Sequence, residues 1–344
     1  MWKMDVTKRV LGVTLIMLFS TVTVFTIEGE PTVQAKGIES KTTVQPEKYA
    51  GYLWRLDAPN LDQLPRNFRT SNSPYRTDID LAKTGREFIV QPTRQGLDAL
   101  HVSGSAEFSE DEFLKMLPVL QRQTSGSIYI VDLRQESHGL FNGNAVSWYG
   151  ARDWGNLGKD VQEVTQDENA RLQAAKGKTL LVAKLGKDKM PLDPQNMKVT
   201  DVRTEQQLIE AHGLHYFRIA ATDHVWPSPT NIDRFMDFVK HLPKDAWLHF
   251  HCQAGMGRTT AFMAMYDMMR NPTVPFADIV SRQYLLGGNY VPYEVPNPKA
   301  GDWKADYYHQ KARMIAKFYQ YVQANYKDDF RTPWSVWLKT QTDL

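Results

Sequence analysis

The sequence predicts an α/β fold, a central sheet flanked by helices, with a small β-rich module inserted into it. Three observations carry that prediction. Short apolar runs alternate along the chain with helix-patterned stretches, as a mainly parallel sheet with crossover helices requires. One run, Asp245 to Phe250, leads through a glycine-bearing turn into a helical stretch, Arg258 to Arg270, so that turn lies at a strand's C-terminal end. The segment Leu172 to Thr204 departs from the alternation, with two strand-like runs joined by a Gly- and Pro-bearing loop.

In chain order, Lys3, Lys8 and Arg9 precede the uncharged apolar run Val10 to Ile27, and Val33-Gln34-Ala35 offers a small-residue cleavage site. Residues 1–35 therefore read as a secretory signal, implying a secreted protein, periplasmic or extracellular; the run is also long enough for an uncleaved anchor. Residues 36–50 are polar and aperiodic, a flexible leader. Residues 51–155 are expected to form the first part of the core, 156–205 the inserted small β domain, and 206–344 the rest of the core with the active loop. Ala99 to Ser103 and Ser127 to Leu133 read as buried strands. Between them Ser109 to Arg122 has an N-cap serine, a glutamate three residues on and helical apolar spacing. Lys178 to Lys184 and Met197 to Val202 are the strands of the insert, which residues 52–70 would complete. Gly177-Lys178-Thr179 resembles the end of a nucleotide-binding loop, but Leu172 stands where its first glycine belongs and a strand follows, so it reads as structural. Leu214 to Ala220 and Ala246 to Phe250 are further strands, with the helix Asn231 to His241 between them. Lys304 to Tyr326 is a Tyr- and Lys-rich helix with Lys304, Tyr308 and Lys311 on one face.

The 344 residues hold enough apolar side chains for a sizeable core, and a net charge of +2 provides no diffuse field for nucleic acid or acidic membranes. No stable membrane association is expected once the signal is removed. Cys252 is the only cysteine, so an internal disulfide is excluded.

That cysteine lies in His251-Cys252-Gln253-Ala254-Gly255-Met256-Gly257-Arg258-Thr259, an H-C-x-x-G-x-x-R-T pattern between a strand and a helix N-terminus. Successive backbone N–H groups in such a turn converge on one anion, and those dipoles together with Arg258 favour the thiolate. Cys252 is the candidate nucleophile toward phosphorus. Arg258 offers a planar fork for two phosphate oxygens. Gly255 and Gly257 are expected to permit strained backbone, Thr259 to donate its hydroxyl toward the sulfur, and His251 to brace the loop. The chemistry implied is cysteine-dependent cleavage of a phosphate ester.

Such a nucleophile needs a proton donor for the leaving oxygen. Asp223, in Ala221-Thr222-Asp223-His224-Val225-Trp226-Pro227, follows a predicted strand and is the candidate acid. Its competitors, Asp233 and Asp237, fall on a helix face expected to be solvated. His224 beside it is a candidate phosphate contact. His249 and His251 alternate on one strand, but no third or fourth metal ligand is evident, so no metal and no cofactor are expected.

The chain closely resembles the bacterial protein-tyrosine-phosphatase-like phytases, the cysteine phytases. The likeness runs from Trp54-Arg55-Leu56-Asp57 through Leu64-Pro65-Arg66-Asn67-Phe68-Arg69, Asp132-Leu133-Arg134-Gln135-Glu136-Ser137-His138-Gly139, Trp148-Tyr149-Gly150 and Ala221 to Pro227, to Pro333-Trp334-Ser335-Val336-Trp337-Leu338. The resemblance implies a protein-tyrosine-phosphatase-like core with a small inserted β-barrel-like domain. It implies metal-free, stepwise dephosphorylation of myo-inositol hexakisphosphate, a small-molecule substrate. It also implies Cys252 as nucleophile, Arg258 as clamp and Asp223 as acid, with Gln253, Ala254, Gly255, Met256, Gly257 and Thr259 in the cradle. Around the inositol phosphate it implies His224, Arg55, Asp153, Lys189, Lys304, Tyr308 and Lys311. Two other readings stay open: a phosphatase of phosphotyrosyl peptides, and a non-catalytic phosphate-binding module, which the intact Cys252, Arg258 and Asp223 disfavour.

Overall fold

The structure, a computed structural model, describes residues 46–342. The signal expected over 1–35 and most of the leader expected over 36–50 lie outside the described residues. No helix among the described residues is long and apolar enough to cross a membrane.

The first strands are β1 (Leu53–Ala58), β2 (Arg69–Thr70) and β3 (Val102–Ala106). Helix α1 (Glu110–Gln121) starts where the sequence places it: Ser109 Oγ accepts from the Glu112 N–H, and the Glu112 side chain answers to the Ser109 N–H. Its Phe113, Met116 and Leu120 recur at helical spacing and pack with Ile130 and Trp247 in one core cluster. Strands β4 (Ile128–Asp132), β5 (His138–Phe141) and β6 (Asn144–Tyr149) follow, then α2 (Val161–Ala175), β7 (Thr179–Leu185), β8 (Pro191–Lys198) and β9 (Val202–Arg203). The chain continues through α3 (Glu205–Ala211), β10 (His215–Arg218), α4 (Pro229–Lys240), β11 (Trp247–Cys252) and α5 (Gly257–Arg270). It closes with α6 (Phe276–Leu285), α7 (Trp303–Asn325) and α8 (Trp334–Lys339).

Two sheets organise these strands. The five-stranded sheet runs β10-β4-β11-β3-β2, with β10, β4, β11 and β3 parallel and β2 antiparallel at the edge. Its middle strand, β11, is buried throughout and ends at Cys252, paired with Ala106 on β3. Helix α5 leaves directly from that end and is buried on every side from Arg258 to Met269. It packs against β11, β3, α6 and α7. The α/β reading with the loop at a strand's C-terminal end thus describes this sheet. Strand β3 sits about three residues later than the sequence indicates, because Val102-Ser103-Gly104-Ser105-Ala106 hides its serines and glycine in the core and lacks an apolar signature.

The second sheet has six strands in the order β8-β7-β1-β6-β5-β9. Its core joins Trp54, Phe141, Val146, Leu172, Ala175, Val182 and Val199. The segment expected as a small β module therefore shares one sheet with β1, β5 and β6, and it opens with the helix α2, capped by Asp160 and Glu163. Only Val164, Leu172 and Ala175 mark the apolar face of α2, too sparse a stripe to read from sequence. Among the described residues no ladder joins β8 to β9, so the sheet is open there. Pro191 and Pro194 are tolerated in β8 because it is an edge strand. Residues 52–70 divide between the sheets, β1 in one and β2 in the other.

Candidate active site

Cys252 ends a buried strand, and the turn after it is held from outside. The Ala254 carbonyl accepts from Asn67 Nδ2 at 2.8 Å and the Gly255 carbonyl from Arg69 Nη1 at 2.8 Å. The Gln253 carbonyl accepts from the Glu107 N–H at 3.3 Å. Among the described residues no acceptor meets the backbone N–H groups of Gln253 to Met256. With its carbonyls engaged outward, the turn has its donors available for an anion at the start of α5. Thr259 Oγ1 donates to Cys252 Sγ at 3.2 Å, as the sequence anticipates.

The two glycines differ. Gly255 has φ +68°, and a Cβ there would lie 2.3 Å from the Ser105 carbonyl carbon and the Ala106 nitrogen. Gly257 is the first residue of α5, has no left-handed φ, and a Cβ there would meet nothing within 4 Å. The expectation that both glycines carry strained backbone is corrected: only Gly255 does, because only it is pressed against β3.

Arg258 is fixed by a residue the sequence reading gave no role. Its Nη1 and Nη2 donate to Glu136 Oε2 and Oε1 at 2.8 and 2.9 Å, and Nη1 also reaches the Ala221 carbonyl at 3.1 Å. Its Nε lies 3.2 Å from Asp223 Oδ1 without hydrogen-bond alignment. Burial opposes the guanidinium charge, but Glu136 and then Asp223 outweigh it and hold the group firmly protonated. Glu136 in turn is held well below the usual carboxylate range: burial works against it, and Arg258 and Arg134 prevail.

The acid loop folds over this arrangement. Asp223 Oδ2 lies 3.1 Å from His224 Nε2. His224 takes a left-handed backbone, φ +66°, and its imidazole is pushed down to about 4, first by burial, with Asp223 opposing and Lys304, Arg258 and Lys311 reinforcing. It is therefore neutral near neutral pH. Burial, with Lys304 reinforcing and Asp223 opposing, lowers Lys311 to about 8.

One cavity of about 140 Å³ brings together Cys252, Gln253, Ala254, Met256, Gly257, Arg258, Asp223, His224, Tyr308 and Lys311. Val225, Trp226, Pro227, Ala261 and Asn289 also line it, and the sequence reading had not singled these out as contacts. Gly255 and Thr259 do not line it; Gly255 is tied to Arg69 and Thr259 to the sulfur. Lys304 sits on the first turn of α7, off the cavity wall, and acts on His224 and Lys311 through its charge. Arg55 and Asp153 are buried partners: Arg55 engages Asp57 at 2.5 Å, Asp153 at 2.9 Å and Ser147 at 3.0 Å, so all three of its nitrogens are occupied. Burial first, then Glu136 and Asp223, raise Asp153 to about 6 against the pull of Arg55. Lys189 is exposed in the turn between β7 and β8 and does not line the cavity.

Behind the loop, His251 braces through carboxylates, with Nε2 2.8 Å from Glu205 and Nδ1 3.3 Å from Glu107. Burial opposes its charge, but Glu205 and Glu107 hold it protonated, whereas burial keeps His249, on Ser103 and Ser105, neutral. The further ligands that the sequence did not reveal exist spatially: Asp132 and Glu205 approach His251, and Glu107 and Glu205 approach His138. Arg218 already sits 3.0 Å from Asp132, and Arg134 2.8 Å from Glu107, so cations of the protein occupy this ground. A larger groove of about 390 Å³, lined by Tyr129, Phe217, Arg234 and Phe238 among others, includes the competing carboxylate Asp237 but none of Cys252, Arg258 and Asp223.

A family model described as PTP-like phytase, inositol hexakisphosphate, matches residues 131–270. The structure is similar to a tandemly repeated protein-tyrosine-phosphatase-like phytase from Mitsuokella multacida, at 66% identity and a TM-score of 0.83, covering 84% of this chain and 49% of that one. A PTP-like myo-inositol phosphatase from Mitsuokella multacida in complex with myo-inositol-(1,3,4,5)-tetrakisphosphate matches at the same 66% identity, coverage and TM-score. A PTP-like phytase from Bdellovibrio bacteriovorus is similar at 30% identity and a TM-score of 0.65, covering 86% of this chain and 98% of that one. The effector protein hopD2 of Pseudomonas syringae pv. tomato is 29% identical over 286 residues, 80% of this chain and 58% of the effector. The chain thus spans about half the length of the Mitsuokella protein and under two thirds of the effector.

Proposed function

The chain belongs to the protein-tyrosine-phosphatase-like phytase family, and from that premise we propose that it removes phosphates stepwise from myo-inositol hexakisphosphate through a phosphocysteine intermediate. The observation that carries the reading is the convergence of Cys252, Arg258 and Asp223 on one cavity, with Thr259 Oγ1 3.2 Å from the sulfur. The inositol tetrakisphosphate in the Mitsuokella complex supports the substrate class.

In the proposed first step the Cys252 thiolate attacks phosphorus in line and the bond to the inositol oxygen breaks. Asp223, as the carboxylic acid, gives its proton to that oxygen. The loop N–H groups and Arg258 meet the equatorial oxygens, where charge gathers. A phosphate reaching Arg258 Nε takes the place of the Asp223 carboxylate and frees it to face the leaving group. In the second step water attacks phosphorus, the Asp223 carboxylate takes its proton, and the S–P bond breaks. The Thr259 hydroxyl stabilises the departing sulfur, and inorganic phosphate leaves.

The remaining phosphates of so dense an anion need further donors. We assign these to neutral His224, Tyr308 and Lys311 at the cavity and to Lys304 beside them, with Lys189 as a further phosphate contact from its exposed turn and Arg55 and Asp153 as the buried support. The apolar run Val10 to Ile27 supports action outside the cytoplasm.

Release of phosphate from inositol hexakisphosphate and from a phosphotyrosyl peptide, measured side by side, tests the substrate. Preference for the peptide overturns it. Cys252→Ser should abolish release from both, and acid quenching during turnover should trap phosphate on Cys252.

A further inference from the structure

The loop carrying Asp223 is tied down by three hydrogen bonds. Thr222 Oγ1 donates to Gln135 Oε1 at 2.9 Å, Arg258 Nη1 to the Ala221 carbonyl at 3.1 Å, and Trp154 Nε1 to the Asp223 carbonyl at 2.9 Å. Of these, only the Trp154 bond acts on the peptide that joins Asp223 to His224. That peptide leads into a left-handed residue, His224 at φ +66°, a conformation L-residues seldom hold unless their surroundings impose it. Fixing the Asp223 carbonyl fixes this step, and with it the direction of the Asp223 side chain.

Trp154 is itself strongly held. It is buried, and its ring packs against Tyr49, Trp303 and Tyr307 at centroid distances of 4.9, 5.9 and 5.7 Å. The two residues before it, Arg152 and Asp153, are both left-handed, at φ +64° and +62°. The Arg152 guanidinium lies 3.9 Å over the Trp303 ring, 5.0 Å over that of Trp154 and 5.5 Å over that of Tyr49, a cation shared among three aromatic rings. Trp303 also stands edge-on to His224 at 5.2 Å. The strained turn at 152–153, the start of α7 and the acid loop therefore meet at one indole.

We infer that Trp154 is a positioning residue for proton transfer: its indole N–H locks the Asp223–His224 peptide so that the carboxyl is aimed at the leaving oxygen before substrate arrives. The indole does not touch the cavity and works only through Asp223. The inference rests on Asp223 being the acid, as proposed above.

Its signature is a dependence on the leaving group. An inositol alkoxide needs a proton as it departs, whereas p-nitrophenolate leaves as a stabilised anion. Trp154→Phe keeps an aromatic ring but removes the donor; benzothienylalanine at 154 replaces the N–H with sulfur at the same ring size and guards against misfolding in the first variant. Both are compared with Asp223→Asn on inositol hexakisphosphate and p-nitrophenyl phosphate. A loosened acid should lower kcat on inositol hexakisphosphate by about ten- to a hundredfold, with KM within about twofold and less than about threefold lost on p-nitrophenyl phosphate. Equal losses on the two substrates mean a merely structural tryptophan, and no loss on either means an idle hydrogen bond; both overturn the inference. If Asp223→Asn is leaving-group dependent and the Trp154 variants are not, the inference alone fails. If Asp223→Asn shows no such dependence, the acid assignment falls and the inference with it.

Discussion

The two glycines of the active loop, Gly255 at the motif's fixed glycine and Gly257 at one of its variable positions, also differ in space, and replacing each by alanine should separate them. At Gly255 a Cβ would lie 2.3 Å from two backbone atoms of β3, where ordinary contact begins at 3.4 Å, so the loop must lift by 3.4 − 2.3 = 1.1 Å. Strand β3 cannot yield instead, because Ala106 is paired with Cys252 itself. The left-handed φ of +68° adds about 1 kcal/mol of strain for a residue with a Cβ. A displacement of about 1 Å at a reacting centre costs roughly a hundredfold in rate, so Gly255→Ala should lower kcat on inositol hexakisphosphate by about that factor. At Gly257 no protein atom lies within 4 Å of the added methyl and φ needs no adjustment, so Gly257→Ala should leave the loop's shape intact and lose far less rate than Gly255→Ala. Initial-rate phosphate release, with thermal unfolding of the same preparations, makes the comparison. Native-like rates for Gly255→Ala, or equal damage at both positions, would refute the argument that contact with β3 sets the shape of the loop.

Glu136→Gln leaves two buried guanidinium groups, Arg258 and Arg134, short of a carboxylate, and should destabilise the fold by about 3–5 kcal/mol in urea unfolding while also lowering kcat. A stability change below about 1 kcal/mol would mean that Arg258 is held by its carbonyl contacts instead. Because Lys311 is lowered to about 8, its charge is present below that pH and lost above it. KM for inositol hexakisphosphate should therefore climb as pH rises through about 8, and Lys311→Arg should flatten the climb. His138 is raised to about 9: burial opposes its charge, but Asp132 and then Glu168 prevail over Arg134 and Arg218. A group raised above its unfolded value of about 6.5 contributes fully below that pH and loses its contribution as pH passes through about 9. Urea midpoints between pH 6 and pH 10 should fall across that window, and a flat profile would count against a charged His138. Incubation with EDTA followed by desalting should leave phosphate release unchanged; a loss restored by an added divalent ion would place a metal in the reaction.

Much of the fold was legible where the signal is local. The capping pair Ser109 and Glu112 marks the start of α1 to the residue, and the apolar runs Ser127 to Leu133 and Ala246 to Phe250 contain β4 and all of β11 but its last two residues. Legibility failed where burial and hydrophobicity part company. Strand β3 hides two serines and a glycine, α2 shows only a thin apolar stripe, and β8 carries two prolines that an edge position alone excuses. The six-stranded sheet could not be assembled from the sequence because its strands come from separated segments, and alternation along a strand says nothing about its neighbour.

The sequence by itself determined the candidate nucleophile, the candidate clamp and the hydroxyl beside the sulfur. Cys252, Arg258 and Thr259 lie within eight consecutive residues, so a strand end, a turn and a helix start suffice to bring them together. The tertiary structure decided what holds them. Glu136 reaches Arg258 across 122 residues of chain, Arg69 reaches Gly255 across 186, and Trp154 reaches Asp223 across 69. Each of these is a polar contact whose partner is set by how the sheets and helices pack, and residue spacing carries no information about contacts made at that separation.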